Sequence, residues 1–452
     1  MKVHFISIGG SVMHQLAIAL KIKGYEVTGT DDEIFEPAKT NLAKEGLLPK
    51  QIGWNTEMIT SDLDAVILGM HAKADNPEIA KAQALGLKIY SFPEYIYQES
   101  KQKKRIVVGG SHGKTTTTSM IMHVLNYLQH DFDYLVGAKL EGFEQSVKVT
   151  NANVIVCEGD EYPASAIERK PKFHFLFPHV AILTGIAWDH INVFPTFDFY
   201  LEQFIIFINK IEPNGILIYN ESDETLKQLV EENLRNDIRY QPYSVPQNSI
   251  VNGITTVTLN NQSIGLSVFG NHNLQNLNAA YWACKELGIS TEDFLKAIQH
   301  FTGASKRLEL LAFNDKTNVY RDFAHAPSKV KATVQAVHQQ FPNRRLIAVL
   351  ELHTYSSLNK QFMQEYNGAL ELANEAVVFY SNHALELKRM PPLPKEVVEK
   401  GFNKQGLHVF TTKSELDIYL KNLDYNNANL LLMSSGNYDG LDVVEFAKTV
   451  VE

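Results

Sequence analysis

The sequence predicts an α/β protein built as three α/β domains in a row. Three observations predict it. Short apolar runs alternate with helical patterns along the chain, the mark of βαβ units on parallel sheets. Each principal apolar run ends in glycine or polar residues, as strands do when they lead to a binding crevice. The length of 452 residues exceeds one core, since domains run to roughly 100–200 residues.

In chain order, VHFISIGG reads as a strand and turn, and 13–22 as a helix closed by Gly24. YEVTGTDD, LDAVILGM and LKIYS are the next three strands. The charged stretch ESKQKKR (99–105) reads as a linker. RIVVGG then restarts the pattern with a buried strand. Ile121, Val124, Leu125 and Leu128 follow at helical spacing. VIVCEGDE (154–161) and VAILTGIAWDH (180–190) are apolar strands entering polar clusters, and helices begin around FGNHNLQNLNAAYWACKELG (269–288) and TEDFLKAIQHF. In the last unit the strands are NVYRDFAH, RLIAVLELH, EAVVFY and ANLLLMSSG. The expected domains are 1–103, Rossmann-like; 104–303, central; and 304–452, Rossmann-like again.

Composition removes several classes. A net charge of −9 argues against a general nucleic-acid binder, which is usually basic. The two cysteines, Cys157 and Cys284, make neither a disulfide framework nor a CxxC metal pair. Free thiols fit a reducing compartment. MKVHFISIGGS is a poor signal peptide and a good first strand. No apolar run approaches the roughly 18 residues of a membrane span. A cytoplasmic protein with no nucleic-acid or membrane partner is expected.

GGSHGKTTTTS (109–119) lies between a strand and a helix. A loop there aims backbone N–H groups and the helix dipole at an anion. Gly110 and Gly113 let the backbone approach phosphate, Lys114 supplies a point charge, and Thr115 offers a hydroxyl to Mg²⁺. The Walker pattern wants glycine six residues before its lysine, where this chain has Val108. The alternative is a plain strand–helix turn. Glu158 and His190 end or follow the next strands and make a plausible metal pair within one domain.

Other strand-end clusters carry weaker signals. SIGGSVM is a damaged dinucleotide fingerprint: GxGxxG needs glycine at Ser7 and Val12. It suits a different nucleotide diphosphate better, with an acid of the Thr30, Asp31, Asp32 cluster near ribose. GNHNLQN can face an adenine edge or cap a helix through Asn271 or Asn273. Arg307, in KRLE, is a phosphate clamp or a surface ion pair. Asp322 and His325, in RDFAHAP, are site residues or a helix cap.

Taken in order, GSHGKTT, CEGDE, WDH, NHNLQN, KRLE and DFAHAP make the chain resemble the Mur ligase family along almost its whole length. The resemblance implies ATP-dependent amide formation in cell-wall precursor synthesis, a central domain of P-loop ATPase type, and Mg²⁺ as cofactor. It implies that Gly110, Ser111, His112, Gly113, Lys114, Thr115 and Thr116 hold the ATP phosphates. Thr115, Glu158 and His190 would hold the metal. Asn273 and Asn276 would face adenine, with Arg307 and Asp322 on phosphate and ribose. Lys114, His190 and His325 would lie at the reacting groups. Gly9, Gly10, Ser11, Asp31, His71, Tyr355 and Ser356 are the implied substrate contacts. Several family members carry a carbamoylated lysine a short way past the metal histidine; Ile205 stands there, as in the muramate-specific branch.

That branch implies UDP-N-acetylmuramate as carboxylate donor and an amino-acid or peptide amine as acceptor, on a monomer or homodimer. VTGTDDEIFEPAKTNLAKEGL, GFEQSVKV, DEYPASAIERKPKFHF and LLLMSSGNYDGL resemble the recycling members, which add L-alanyl-γ-D-glutamyl-meso-diaminopimelate. Tyr162 stands where the alanine-adding members have serine. His353 and Tyr355 resemble the alanine-adding members, and Ser356 to Lys360 the recycling ones; Ala326 replaces a histidine usual in both. The tripeptide is the expected acceptor and L-alanine the alternative. Two other classes compete: a Rossmann oxidoreductase, disfavoured by the degraded glycine pattern, and a nucleotide-dependent switch without ligation.

Overall fold

The computed structural model describes residues 1–137, 140, 142–188, 193–251, 253–304 and 307–452. The chain forms two compact units, 1–244 with 275–297, and 245–274 with 298–452.

The first unit contains two sheets. The N-terminal sheet has four parallel strands in the order Glu26–Thr30, Lys2–Ile6, Ala65–Leu68, Ile89–Ser91. Alternate residues feed opposite cores: Phe5 and Ile67 pack with Leu16 and Leu20 of the helix Ser11–Ile22, while Ile6, Val66 and Leu68 pack with Ile79 and Ala82. Both faces are covered, which is why AVIL reads as an unbroken apolar run.

The second sheet has seven strands: Arg239–Tyr243, Ile216–Asn220, Val180–Leu183, Lys104–Gly109, Val154–Glu158, Asp133–Leu135 and Val147–Lys148. All neighbours are parallel except the last pair. From Lys104–Gly109 the chain first builds the sheet to one side, then crosses and builds the other. This reversal opens a crevice beyond the strand ends. The loop 110–113 leaves the strand at that point.

The charged stretch 99–105 is not a solvated linker. Ser100 closes the helix Phe92–Ser100, and Arg105 lies in the strand Lys104–Gly109 at 2% exposure. Arg105 donates to the carbonyls of Ser100, Lys101 and Phe177 and pairs with Glu212 at 2.6 Å. Lys103 pairs with Asp133 and donates to the Thr150 carbonyl. These long cations are buried because each donor finds an acceptor.

In the second unit a six-stranded sheet runs Glu309–Phe313, Thr317–Asp322, Ala428–Met433, Arg345–Glu351, Glu375–Phe379, Leu407–Phe410. Only the first pair is antiparallel. Leu346, Ala348 and Leu350 face one core, Ile347 and Val349 the other. The unit also contains an antiparallel sheet, Gln247–Val251, Ile254–Leu259 and Gln262–Leu266. The expected strand set lacks this sheet. Its first strand is exposed at every residue, so no apolar pattern announces it. The strand Ile216–Asn220 is also absent from the expected set, although ILIYN is as apolar as its neighbours. No described helix is long and apolar enough to cross a membrane.

Arg105→Ala would take the guanidinium from Glu212 and from the Ser100, Lys101, Lys103 and Phe177 carbonyls. It is expected to cost about 3 kcal/mol, read as a lower denaturation midpoint. An unchanged midpoint would show that the buried guanidinium holds nothing together.

Candidate nucleotide site and the strand-end clusters

The loop 110–113 is shaped by what lies against it. Gly110 has φ +117°, and a Cβ there would come within 2.3 Å of Thr184 Oγ1 and 2.8 Å of its backbone N. Gly113 has φ +83°, and its Cβ would meet Asn276 Oδ1 at 2.3 Å. Both positions therefore require glycine for conformation and for space. The neighbouring strand end pins the loop: Ser111 N donates to the Gly185 carbonyl at 2.9 Å, and the Thr184 hydroxyl donates to the His112 carbonyl. The Ser111 hydroxyl accepts from Ala187 N and shares a hydrogen bond with Tyr200, each at 2.8 Å.

Gly113 caps the helix Lys114–Tyr127 without a side-chain hydrogen bond. The first-turn N–H groups are left to an anion, where the helix dipole favours one. Lys114 donates to the Gly110 carbonyl at 2.6 Å and to Glu161 at 2.7 Å. Burial works against its charge, but Glu161, Asp160 and Glu158 outweigh it and hold the ammonium above the ordinary lysine value. The Thr115 hydroxyl donates to Glu158 Oε1 at 2.7 Å, and Gly137 N to Glu158 Oε2 at 3.0 Å. The hydroxyl and carboxylate read as metal ligands thus lie side by side. Their oxygens are the hard donors Mg²⁺ takes. Thr116 is buried behind them. His190 falls outside the described residues. Asn276 lies against the loop, its Oδ1 accepting from Thr117 at 3.3 Å.

The N-terminal cluster has a different logic. Asp31 is fully buried and its carboxylate accepts from Gly9 N at 2.7 Å and Asp32 N at 3.0 Å. It therefore ties down the glycine turn. Burial pushes its carboxyl up, against the Gly9 N–H. His71 Nδ1 lies 3.5 Å from Asp31 and 3.4 Å from Asp32. Ser7, the missing glycine of the fingerprint, still adopts φ +73°. The space is made by Gly69, whose Cβ would meet Ser7 Cβ at 2.8 Å. Gly10 caps the helix Ser11–Ile22 without a side-chain bond, leaving its first N–H groups, beginning at Ser11, open to an anion.

In the second unit Asp322 is 6% exposed, and accepts from Leu308 N at 2.5 Å and Ala324 N at 2.6 Å. Each oxygen thus already organises backbone, and any ribose hydroxyl would share them. Burial raises its carboxyl, with Arg307 opposing. Arg307 stacks over Phe323 at 4.9 Å, and desolvation, aided by Arg307, holds His272 at about 4. His325 Nδ1 is 2.9 Å from the Phe323 carbonyl, and its own carbonyl accepts from Tyr366. Asn273 donates its side-chain amide to the Phe269 carbonyl at 2.9 Å, back across the start of the helix Asn271–Glu286. Tyr355 and Ser356 are exposed, Tyr355 beneath Lys388 at 5.2 Å.

Sequence reasoning missed Thr184, Tyr200 and Glu161. The two hydroxyls carry no motif. Glu161 stood inside CEGDE and was legible there. Also missed is Glu351, which is 2% exposed and accepts from Ser434 and Tyr438 N beside His353.

Three family models match in series: the Mur ligase family catalytic domain at 2–104, the Mur ligase middle domain at 108–284, and the Mur ligase glutamate ligase domain at 306–436. A UDP-N-acetylmuramate–L-alanine ligase of Sulfurihydrogenibium sp. is 30% identical over 449 residues, 96% of this chain and 95% of that one. The solved UDP-N-acetylmuramate–alanine ligase of Thermotoga maritima has a TM-score of 0.67 at 23% identity, covering 100% of this chain and 98% of its own. A murein peptide ligase from Psychrobacter arcticus has a TM-score of 0.62 at 22% identity, with the same coverage. These two show a shared three-domain α/β fold. With the matches running in order from residue 2 to 436, the chain belongs to the Mur ligase family of ATP-dependent, amide-bond-forming ligases.

Proposed function

We propose that this ligase joins the carboxylate of UDP-N-acetylmuramate to the amine of an L-alanyl group, in cytoplasmic peptidoglycan precursor metabolism. The observation that carries the ATP half is the loop itself. Two obligatory glycines, an uncapped helix start, Lys114 and the Thr115–Glu158 pair converge beyond one strand end. The Sulfurihydrogenibium relative, an alanine ligase by name that matches over 96% of this chain, supports free L-alanine as the acceptor. The tripeptide L-alanyl-γ-D-glutamyl-meso-diaminopimelate is the second reading. It is supported by the stretches after Asp31 and after Glu161 that resemble recycling members.

A carboxylate is a poor acyl donor at neutral pH. Attack of its oxygen on the ATP γ-phosphorus releases ADP and leaves an acyl phosphate. The amine nitrogen then attacks the acyl carbon and phosphate departs. Gly110 to Thr116 would bind the phosphates, and Lys114 would offset charge as the phosphoryl group moves. Mg²⁺ bound by Thr115, Glu158 and His190 would supply further positive charge to the phosphate oxygens. Asn273 and Asn276 are assigned to adenine, and Arg307 and Asp322 to phosphate and ribose. His325 is assigned to the reacting groups. Gly9, Gly10 and Ser11 suit the UDP diphosphate, with Asp31 and His71 shaping that turn, and Tyr355 and Ser356 the acceptor.

Lys114→Ala is expected to lower ATP-dependent ligation at least about 10²-fold with the fold intact by circular dichroism; near-normal turnover would sink the loop assignment. Glu158→Ala and His190→Ala are each expected to raise the Mg²⁺ concentration for half-maximal rate by on the order of tenfold or more, and an unchanged titration would remove that residue from the metal. The acceptor is decided by phosphate release with UDP-N-acetylmuramate plus L-alanine or the tripeptide. Turnover with L-alanine is expected; turnover with the tripeptide alone would establish the second reading.

A further inference from the structure

We propose that Glu161 is a positioning residue for Lys114, fixing the loop ammonium so that one N–H is aimed at the transferring phosphoryl group. The inference rests on the ATP-loop reading above and adds a residue that it does not use.

Three observations carry it. Glu161 is 1% exposed, and a carboxylate so buried is retained only where it is paired. Its Oε2 accepts from Lys114 Nζ at 2.7 Å, and the same Nζ donates to the Gly110 carbonyl at 2.6 Å. An ammonium carries three N–H donors. Two fixed acceptors, one on the strand end and one on the segment after Val154–Glu158, leave the third N–H directed by the other two. Lysine is otherwise a flexible point charge on a four-carbon stem. Held at two points, it loses that freedom before nucleotide arrives, and this is the kind of preorganisation that favours a transition state over a ground state.

Glu161 itself sits on a braced segment. Asp160 pairs with Lys172 at 2.6 Å, Phe173 N donates to the Asp160 carbonyl at 3.2 Å, and Lys172 N to the Tyr162 carbonyl at 2.9 Å. The backbone on either side of the carboxylate is therefore held. Reach and not charge alone sets the geometry, and the two separate experimentally. Glu161→Gln keeps the reach and an acceptor oxygen but drops the charge. Glu161→Asp keeps the charge but withdraws it by about one bond length, ~1.5 Å.

A displacement of about 1 Å at a reacting group can cost on the order of 10²-fold in rate. Glu161→Asp is expected to lower kcat by about that factor with KM for ATP changed less than about threefold, while Glu161→Gln retains kcat within about tenfold. Binding of Mg·ADP, followed by calorimetry, supplies the second readout: the effect of Glu161→Asp on affinity should be smaller in a Lys114→Ala background than in the wild type, since the two residues are coupled through the ammonium; an equal effect in both backgrounds would overturn the coupling. Full activity of Glu161→Asp, or loss in Glu161→Gln greater than in Glu161→Asp, would overturn the proposal. Equal falls in melting temperature with kcat intact would make Glu161 structural only, and also overturn it. If Lys114→Ala itself keeps normal turnover, the ATP-loop reading has failed instead; if Lys114→Ala is inactive and both Glu161 variants are normal, only the positioning role has failed.

Discussion

The site depends on one steric constraint: the loop 110–113 passes so close to its neighbours that two of its residues cannot carry a side chain. At Gly110 the obstacle is Thr184, just past the end of the strand to one side; at Gly113 it is Asn276. The helix Lys114–Tyr127 starts directly after this loop, with Gly113 as its cap. Everything charged nearby follows from this placement. Lys114, first residue of the helix, reaches back to Gly110, and Thr115, second residue, reaches Glu158 at the end of the adjoining strand. The sheet order sets these distances, because Val154–Glu158 and Val180–Leu183 flank the loop strand on its two sides. Moving either strand by one position would leave the loop without its threonine clamp or the hydroxyl without its carboxylate.

Burial of charge is the second organising force in the first unit. Arg105, Lys103, Asp133, Asp31 and Glu161 are all nearly inaccessible. Each has partners fixed by backbone or by an opposite charge, since an unpaired one would be several kcal/mol unfavourable. Arg105 and Lys103 anchor the strand that carries the nucleotide loop to the elements around it, while Asp31 anchors the N-terminal glycine turn. The N-terminal glycine turn is thus held directly by a buried acid, and the strand leading to the loop 110–113 is held at its start by buried cations. Stiffness there matters because phosphate recognition relies on backbone N–H groups already in place.

Much of this was legible in the residues. The strands at 2–6, 65–68, 104–109, 154–158 and 345–351 announce themselves by apolar runs, because parallel strands buried on both faces have no polar side to hide the signal. Thr115 and Glu158, each read separately as an Mg²⁺ ligand, lie within hydrogen-bond distance of one another because strand ends on one sheet share one edge. What was not legible has physical causes. The strand at 247–251 is exposed throughout and held by its hairpin partners, so its side chains carry no period. The stretch 99–105 reads as a linker because charge usually means water, and only tertiary structure supplies the carbonyls that let Arg105 be buried. Asp31 and Asp322 also accept from backbone N–H groups, a role in shaping the chain that no one-dimensional pattern encodes.

Val108 makes the same point about the loop's length. The longer Walker loop needs glycine six residues before its lysine. In this chain that residue is still inside the strand Lys104–Gly109, fully buried and paired with Glu158. An extended, sheet-paired backbone has no use for glycine's freedom, and glycine in a strand interior forfeits side-chain packing. The conformational demand falls two residues later, at Gly110, and again at Gly113. The shorter loop is therefore a relocation of the turn. The strand runs further before it breaks, which brings residue 108 level with Glu158 and puts the helix start within reach of that carboxylate. A loop begun at residue 108 would end the ladder to Glu158 early, and the Thr115–Glu158 contact would lose the register that sets it.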